Sequence, residues 1–203
     1  KGFLAAIGAN PDSALNSITK DSKGVFALTA NQQTALILND GWNDRSNLFI
    51  GAWGDVTYGT ADQSLTAYNG AWRLGGGTGT LTVNFKLVGD NDLIIGNEWS
   101  SGTVHLTNEN NDIDGDIIIK GTGNKLSYSS LKALGGAGVL LTYGNSLVMD
   151  DTSLLEAIKP GAEGAIALRA KEGEAFNLDL SSDELASLSV GADGFEFVPR
   201  KML

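Results

Sequence analysis

Apolar residues along this chain come in short runs, each cut off by glycine, asparagine or aspartate, and the runs return about every ten residues. From residue 25 onward the period within a run is two. The pattern predicts strands at 25–28, 35–38, 48–50, 56–58, 65–68, 81–83, 93–95, 103–107, 117–119, 126–128, 139–143 and 146–149. It predicts four more at 165–168, 176–180, 187–190 and 195–198. Ahead of them, residues 10–24 open with a turn signal, place Ala14, Leu15 and Ile18 at helical spacing, and end on Lys20, Lys23 and Gly24, which reads as a short helix. Helical turns are expected at 129–135, 153–159 and 181–186, the last two carrying S-x-x-E capping boxes at Ser153 and Ser181.

Evenly spaced short strands fit a sandwich, a barrel or a solenoid. Two features favour the solenoid. Residues 93–95 and 117–119 are apolar at consecutive positions, and no Asn-Gly or Asp-Gly pair is evident as a two-residue hairpin between adjacent strands. Stacked parallel coils account for both, because inward side chains then form one continuous core and each connection only turns a corner. The stretch Trp72-Arg-Leu-Gly-Gly-Gly-Thr-Gly-Thr-Leu-Thr-Val83 is such a corner: Gly75, Gly76, Gly77 and Gly79 permit positive φ or close backbone approach before an alternating strand begins. It is no phosphate cradle, since Thr80 stands where a third glycine belongs, no lysine follows, and the next element is a strand rather than a helix.

Composition agrees with the all-β expectation. Twenty-seven glycines among 203 residues suit tight turns and weigh against helical bundles, whose interiors penalise glycine. A net charge of −10 opposes nucleic acid and anionic membrane surfaces as partners. The absence of cysteine rules out disulfides and thiolate metal sites. The chain starts at Lys1, and the apolar run at residues 3–7 is too short for a signal-peptide core or a membrane span, which suggests an interior piece of something longer. Three stretches follow: a helical or turn lead-in over 1–24, a solenoid core over 25–150, and a less regular continuation or junction over 151–203 that holds Pro160 and Pro199.

Candidate chemistry is sparse. His105 is the only histidine, and alternation puts it opposite Val104 and Leu106. Any Ser-His-Asp triad has to use it, yet no G-x-S-x-G elbow accompanies it, and a lone strand histidine is more often packed at a surface or turn. Asn110, Asp112, Asp114 and Gly115 match the opening of a calcium loop, but Gly121 occupies the twelfth position where a bidentate glutamate should close it. A solvated acidic corner is the simpler reading. Asp112, Asp114 and Asp116 also form a candidate carboxylate row, with Arg73 and Arg169 as conceivable partners for lyase-like chemistry. Trp42, Trp53, Trp72 and Trp99 sit beside glycine or turn residues, as an aromatic ledge or as packing over corners; Trp72 is expected to pack and Trp99 to be the most exposed. No catalytic residue, metal ligand or cofactor site is assigned.

Several of these segments carry a family resemblance. Leu48-Phe-Ile-Gly-Ala-Trp-Gly-Asp-Val-Thr-Tyr-Gly59, the stretch from Trp72 to Val83, and Asp92-Leu-Ile-Ile-Gly96 resemble the passenger regions of Gram-negative autotransporters. Residues 102–121 and 126–149 are similar to the autotransporter-associated β-strand repeat: a Gly-Thr-hydrophobic strand, an Asn-rich turn, a glycine and a second strand. The resemblance covers roughly residues 25–150 and implies a right-handed parallel β-helix exported to the cell surface, usually in adhesins, with no active site. The chain departs from the usual pattern in the charged turn at Asp112, Asp114 and Asp116, in showing one good copy of the repeat, and in lacking the C-terminal membrane barrel.

The resulting expectation is a non-catalytic, surface-exposed scaffold segment acting in adhesion, surface structure or matrix assembly. Its implied partners are a protein or glycan of a host or neighbouring cell, or further copies of itself, without membrane insertion. The alternative is a β-helical carbohydrate-active enzyme, either a lyase or hydrolase or a tailspike-type depolymerase, since fold does not fix function.

Overall fold

Alternation in a strand sends every second side chain to one face, so stacked strands in register bury a column of apolar residues down their common interior. The computed structural model describes residues 3–5, 10–150, 152–169 and 187–193, and it shows this arrangement. The strands in chain order are Phe3–Ala5 (β1), Gly24–Leu28 (β2), Leu48–Ala52 (β3), Asp55–Tyr58 (β4), Ala71–Leu74 (β5), Thr80–Val83 (β6), Val88–Gly89 (β7) and Asp92–Ile95 (β8). They continue with Gly102–Leu106 (β9), Asp112–Ile113 (β10), Ile117–Ile119 (β11), Asn124–Tyr128 (β12), Val139–Leu141 (β13), Ser146–Met149 (β14), Ala165–Leu168 (β15) and Ser189–Ala192 (β16).

Two seven-stranded sheets form the walls of a β-solenoid of about seven turns. The first runs β1-β2-β3-β5-β8-β11-β13 and the second β16-β15-β14-β12-β9-β6-β4, with β7 and β10 as a small third pair. Every pairing between these strands is parallel. Leu81, Val104, Leu126, Leu147 and Ile166 stand side by side in successive coils of the second sheet, all fully buried. Leu93, Ile117 and Val139 form the matching column of the first sheet. Each such side chain contributes roughly 1.5–3 kcal/mol on leaving water. The outward residues of the same strands, Ile94, Ile118 and Leu140, are half-buried, which explains the consecutive apolar runs.

Polar side chains close the corners. Asn124, fully buried, donates from Nδ2 to the carbonyls of Lys120 (3.0 Å) and Asn97 (3.3 Å). Its own backbone N–H donates to Asn145 Oδ1 at 3.0 Å. Backbone groups that a corner leaves without a ladder partner are satisfied in this way from the next coil. At the other end of the described chain, the helix Pro11–Asn16 (α1) is capped by Asn10, whose Oδ1 accepts from the Asp12 N–H.

Several expectations need correction. Residues 35–38 and 65–68 are not strands. Leu36, Leu38 and Leu65 are buried as alternation requires, but they lie in longer excursions whose backbone finds other partners, such as Leu36 N–H donating to Tyr58 Oη at 2.9 Å. Asn69-Gly70 does form a two-residue turn: both residues have positive φ, and Tyr68 and Ala71 exchange backbone hydrogen bonds across it. Ser153 lies inside the 3-10 turn Thr152–Ala157 rather than ahead of it. The strand expected at 139–143 stops at Leu141, and that expected at 187–190 is shifted to Ser189–Ala192. The strands expected at 176–180 and 195–198 and the turn at 181–186 lie outside the described residues. Among the described residues no helix is long and apolar enough to cross a membrane.

Candidate functional site

His105 lies on the outer face of β9, as alternation predicts, beside Thr82 of β6 and Ser127 of β12. Its Nδ1 is 2.9 Å from Ser127 Oγ. Burial pushes the imidazole pKa down, and the nearby Arg169 charge pushes it the same way, so the neutral ring is favoured. Ser127 is itself buried, at 2% exposure, which closes its hydroxyl to a substrate. The neighbouring carboxylate, Asp193, receives Lys125 Nζ at 2.9 Å and Arg169 Nη2 at 2.8 Å, and no carboxylate among the described residues hydrogen-bonds the imidazole. Burial raises the Asp193 pKa, but the hydrogen bonds and charges of Lys125 and Arg169 outweigh it and hold the carboxyl below its usual range. The cluster is a polar clamp across coils.

The acidic row does not converge. Asp112 belongs to β10, which pairs with β7, and the Asp114 N–H donates to the Gly89 carbonyl at 3.1 Å, so this segment is an extended strand laid against the neighbouring coil rather than a loop wrapped around a centre. Asp116 is bridged by Lys159 Nζ at 2.6 and 2.7 Å. Asn110 lies in the preceding turn and Gly121 at the next corner. Among the described residues no three histidine, aspartate or glutamate side chains group as a metal site requires. Arg73 is half-buried on β5 and donates to the carbonyls of Tyr68 (2.8 Å) and Ala71 (3.3 Å), while Arg169 is held by Asp193.

The tryptophans divide differently from expectation. Trp72 is buried, with Nε1 donating to the Leu65 carbonyl at 2.8 Å. Trp99 is only half-exposed, because Asn97 Oδ1 accepts from the N–H groups of Trp99 (2.8 Å) and Ser100 (3.1 Å) and folds that turn against the stack. Trp42 is the most exposed, at 94%, on a turn where Asp40 Oδ1 accepts from the N–H groups of Trp42 and Asn43. Trp53 is 50% exposed. Tyr143, 65% exposed, was not singled out from the sequence, although Tyr143-Gly144-Asn145 echoes the aromatic-Gly-acidic corner at Trp53-Gly54-Asp55.

Trp53, Thr78, Trp99, Thr122 and Tyr143 occupy five successive corners between the same two sheets: β3 to β4, β5 to β6, β8 to β9, β11 to β12, and β13 to β14. These corners differ in length, and the Thr78 N–H donates to the Ser101 carbonyl, so Trp99 stands two residues away from the line of Trp53 and Thr78. Set against protein-family models, curated proteins and solved structures, the chain matches none.

Proposed function

We propose that the chain is a stretch of the passenger region of a Gram-negative autotransporter-like protein, a non-catalytic solenoid scaffold carried at the cell surface and acting in adhesion, surface structure or matrix assembly. The observation that carries this reading is that the segments resembling such passengers are the ones that build the coils and corners. The glycine corner after β5, the Gly-Thr strand β9 and the asparagine-bearing corner before β12 all serve stacking. A stack in which each coil contacts its neighbours holds an extended surface rigid, and rigidity over length is what a stalk or adhesin requires. The polar groups that catalysis would call on are used in coil-to-coil links, His105 with Ser127 and Asp116 with Lys159.

Two measurements test it together. Beads coated with the chain are expected to be retained on bacterial or host cells, while a polysaccharide panel incubated with the chain releases neither reducing ends nor unsaturated uronate. Sugar release proportional to chain concentration overturns the scaffold reading in favour of a β-helical carbohydrate-active enzyme, and beads retained on no cell type overturn the adhesive role.

A further inference from the structure

We propose that two copies of this chain pair about a two-fold axis, with the Trp42 finger of each laid into the apolar cleft beside Arg73 of the other.

The finger is a short polar loop in the excursion between β2 and β3. Asn39 and Asp44 face each other as an antiparallel bridge, and the Arg45 N–H donates to the Leu38 carbonyl at 2.7 Å, which closes the base. At the tip, Asn39 Oδ1 accepts from the Gly41 N–H at 2.9 Å, and Asp40 Oδ1 accepts from the N–H groups of Trp42 and Asn43 at 2.9 and 2.8 Å. Side chains that satisfy the loop's own N–H groups set its shape in advance, so little ordering is left to be done on binding. What the tip presents is an indole at 94% exposure, in a chain that buries Trp72 at 2%. A preset tryptophan is the residue type that most often anchors an interface.

The cleft lies at the foot of the finger. Leu36 and Leu38 line it from the finger's own excursion, Leu65 and Tyr68 from the excursion ahead of β5, and Trp72 and Arg73 from β5 itself. Arg73 is half-buried, and its Nη1 is committed to the Tyr68 and Ala71 carbonyls. Burial pushes its pKa down with no carboxylate to offset it. Arg45 and Arg169 each have an aspartate partner, whereas among the described residues Arg73 has none. A half-buried cation left without a counter-ion gains from a carboxylate supplied from outside.

The finger carries that carboxylate. Asp40 and Asp44 stand two residues to either side of Trp42. Hydrogen bonds from the Asn43 and Trp42 N–H groups hold the Asp40 carboxyl below its ordinary range, and the Ser46 hydroxyl does the same for Asp44, so both are ionised at neutral pH. The Asp40 side chain is still 45% exposed. An indole flanked by carboxylates and an apolar cleft lipped by a guanidinium are complementary, and one chain carries both. The ring does not fold into the cleft of its own chain, since it is almost wholly solvated. Two-fold pairing lets each finger meet the other copy's cleft, and the contact is made twice.

Sedimentation equilibrium of the intact chain, from micromolar to near-millimolar loading, is expected to show monomer and dimer in mass-action balance. Trp42→Ala should weaken the dimer by at least about tenfold, the scale of removing an anchoring tryptophan, and leave the melting temperature of the monomer unchanged. Asp40→Asn keeps the acceptor that shapes the tip and removes the charge, and should weaken the dimer to a smaller degree. Arg73→Glu should not pair with itself. Mixed with Trp42→Ala it should associate more strongly than either variant alone, because the mixture holds one intact finger and one intact cleft. Ile37→Ser should change nothing: Ile37 is 60% exposed on the same excursion but alternates away from Leu36 and Leu38. A monomer at every concentration overturns the pairing and leaves the scaffold reading untouched. A dimer indifferent to Trp42→Ala, or one lost equally in Ile37→Ser, overturns it too, since the copies then meet through another surface. So does a mixture no more associated than its components. Should Arg73→Glu fail to fold, Trp42→Ala and Asp40→Asn, both at exposed sites, decide the matter in the same way.

Discussion

The guanidinium of Arg45, only 1% exposed, donates from Nη1 to the main-chain carbonyl of Leu15 at 2.8 Å, thirty residues away in the last turn of α1. The same nitrogen reaches Asn16 Oδ1 at 3.2 Å, and Nη2 lies 3.7 Å from Asp40. A cation at a helix C-terminus meets carbonyls that have no partner inside the helix. Arg45 therefore ties α1 to the excursion that follows β2. Arg45→Met keeps much of the apolar stem but abandons the Leu15 carbonyl, and is expected to cost about 1–3 kcal/mol in chemical denaturation. Asp40 faces solvent, so Asp40→Ala should move the transition far less. Equal effects would show that the surface ion pair, not the buried hydrogen bond, holds the helix.

Gly76 provides a second, sharper test. A Cβ there would sit 2.6 Å from Ser100 Oγ, 2.8 Å from Val25 Cγ2 and 2.9 Å from Asn97 Nδ2, because the corner after β5 folds over Gly51 and covers Val25 and Ala27 on the outer face of the first sheet. Gly136 has nearly the same φ, 82° against 84°, but nothing within 4 Å of its would-be Cβ. Both Gly→Ala changes carry a backbone penalty of about 1 kcal/mol. Only Gly76→Ala should add a steric cost on top, read as a lower midpoint than Gly136→Ala. Matching midpoints would make the corner a loose loop.

That corner was readable in the sequence because glycines adjoining an alternating strand have few other uses. The strands 117–119, 146–149 and 165–168 were readable for a related reason, since their apolar positions face a core on one side and a half-covered sheet on the other. Residues 35–38 carry the same alternation, and Leu36 and Leu38 are indeed buried, but alternation reports burial and not ladder hydrogen bonding. The two-residue strands β7 and β10 are too short to leave a pattern. The corners were less legible: coil lengths vary, with Leu81 beside Val104 but Leu147 beside Ile166, and Trp53, Trp99 and Tyr143 fall in corners of different length, so sequence spacing did not tell the exposed aromatics from the packed ones.

Asn124 is a case where removing one side chain exposes several orphans. It is fully buried, donates to two carbonyls on two coils, and sits over Gly96, whose missing Cβ leaves it room. Asn124→Ala leaves those carbonyls without a donor, and the usual cost for unsatisfied buried groups puts the loss at about 2–4 kcal/mol. Asn124→Asp, nearly the same shape, should be at least as damaging near neutral pH, because a carboxylate has no N–H to give. An Asp variant as stable as wild type would show that the Nδ2 hydrogen bonds contribute little.

His105 predicts how stability responds to acid. Burial first, and Arg169 second, lower its pKa in the folded chain below the ordinary value of 6.5, which the unfolded chain retains. Below that value the unfolded state therefore binds more protons than the folded one, and the linkage relation makes stability fall as pH falls. The contribution is fully present above about pH 6.5 and is lost on the way down to the folded pKa. Asp193, also depressed, has its window lower still, below the usual carboxylate value of 3.8, so the two do not overlap. Because His105 is the only histidine, a midpoint that drops between about pH 7 and pH 5.5 should flatten in His105→Gln. In Arg169→Gln the drop should shrink only in part, since burial remains and is the larger cause. A slope untouched by His105→Gln would mean that the ring protonates as freely in the folded chain as in the unfolded one, and a midpoint that rises with acid would mean that its folded pKa is raised rather than lowered.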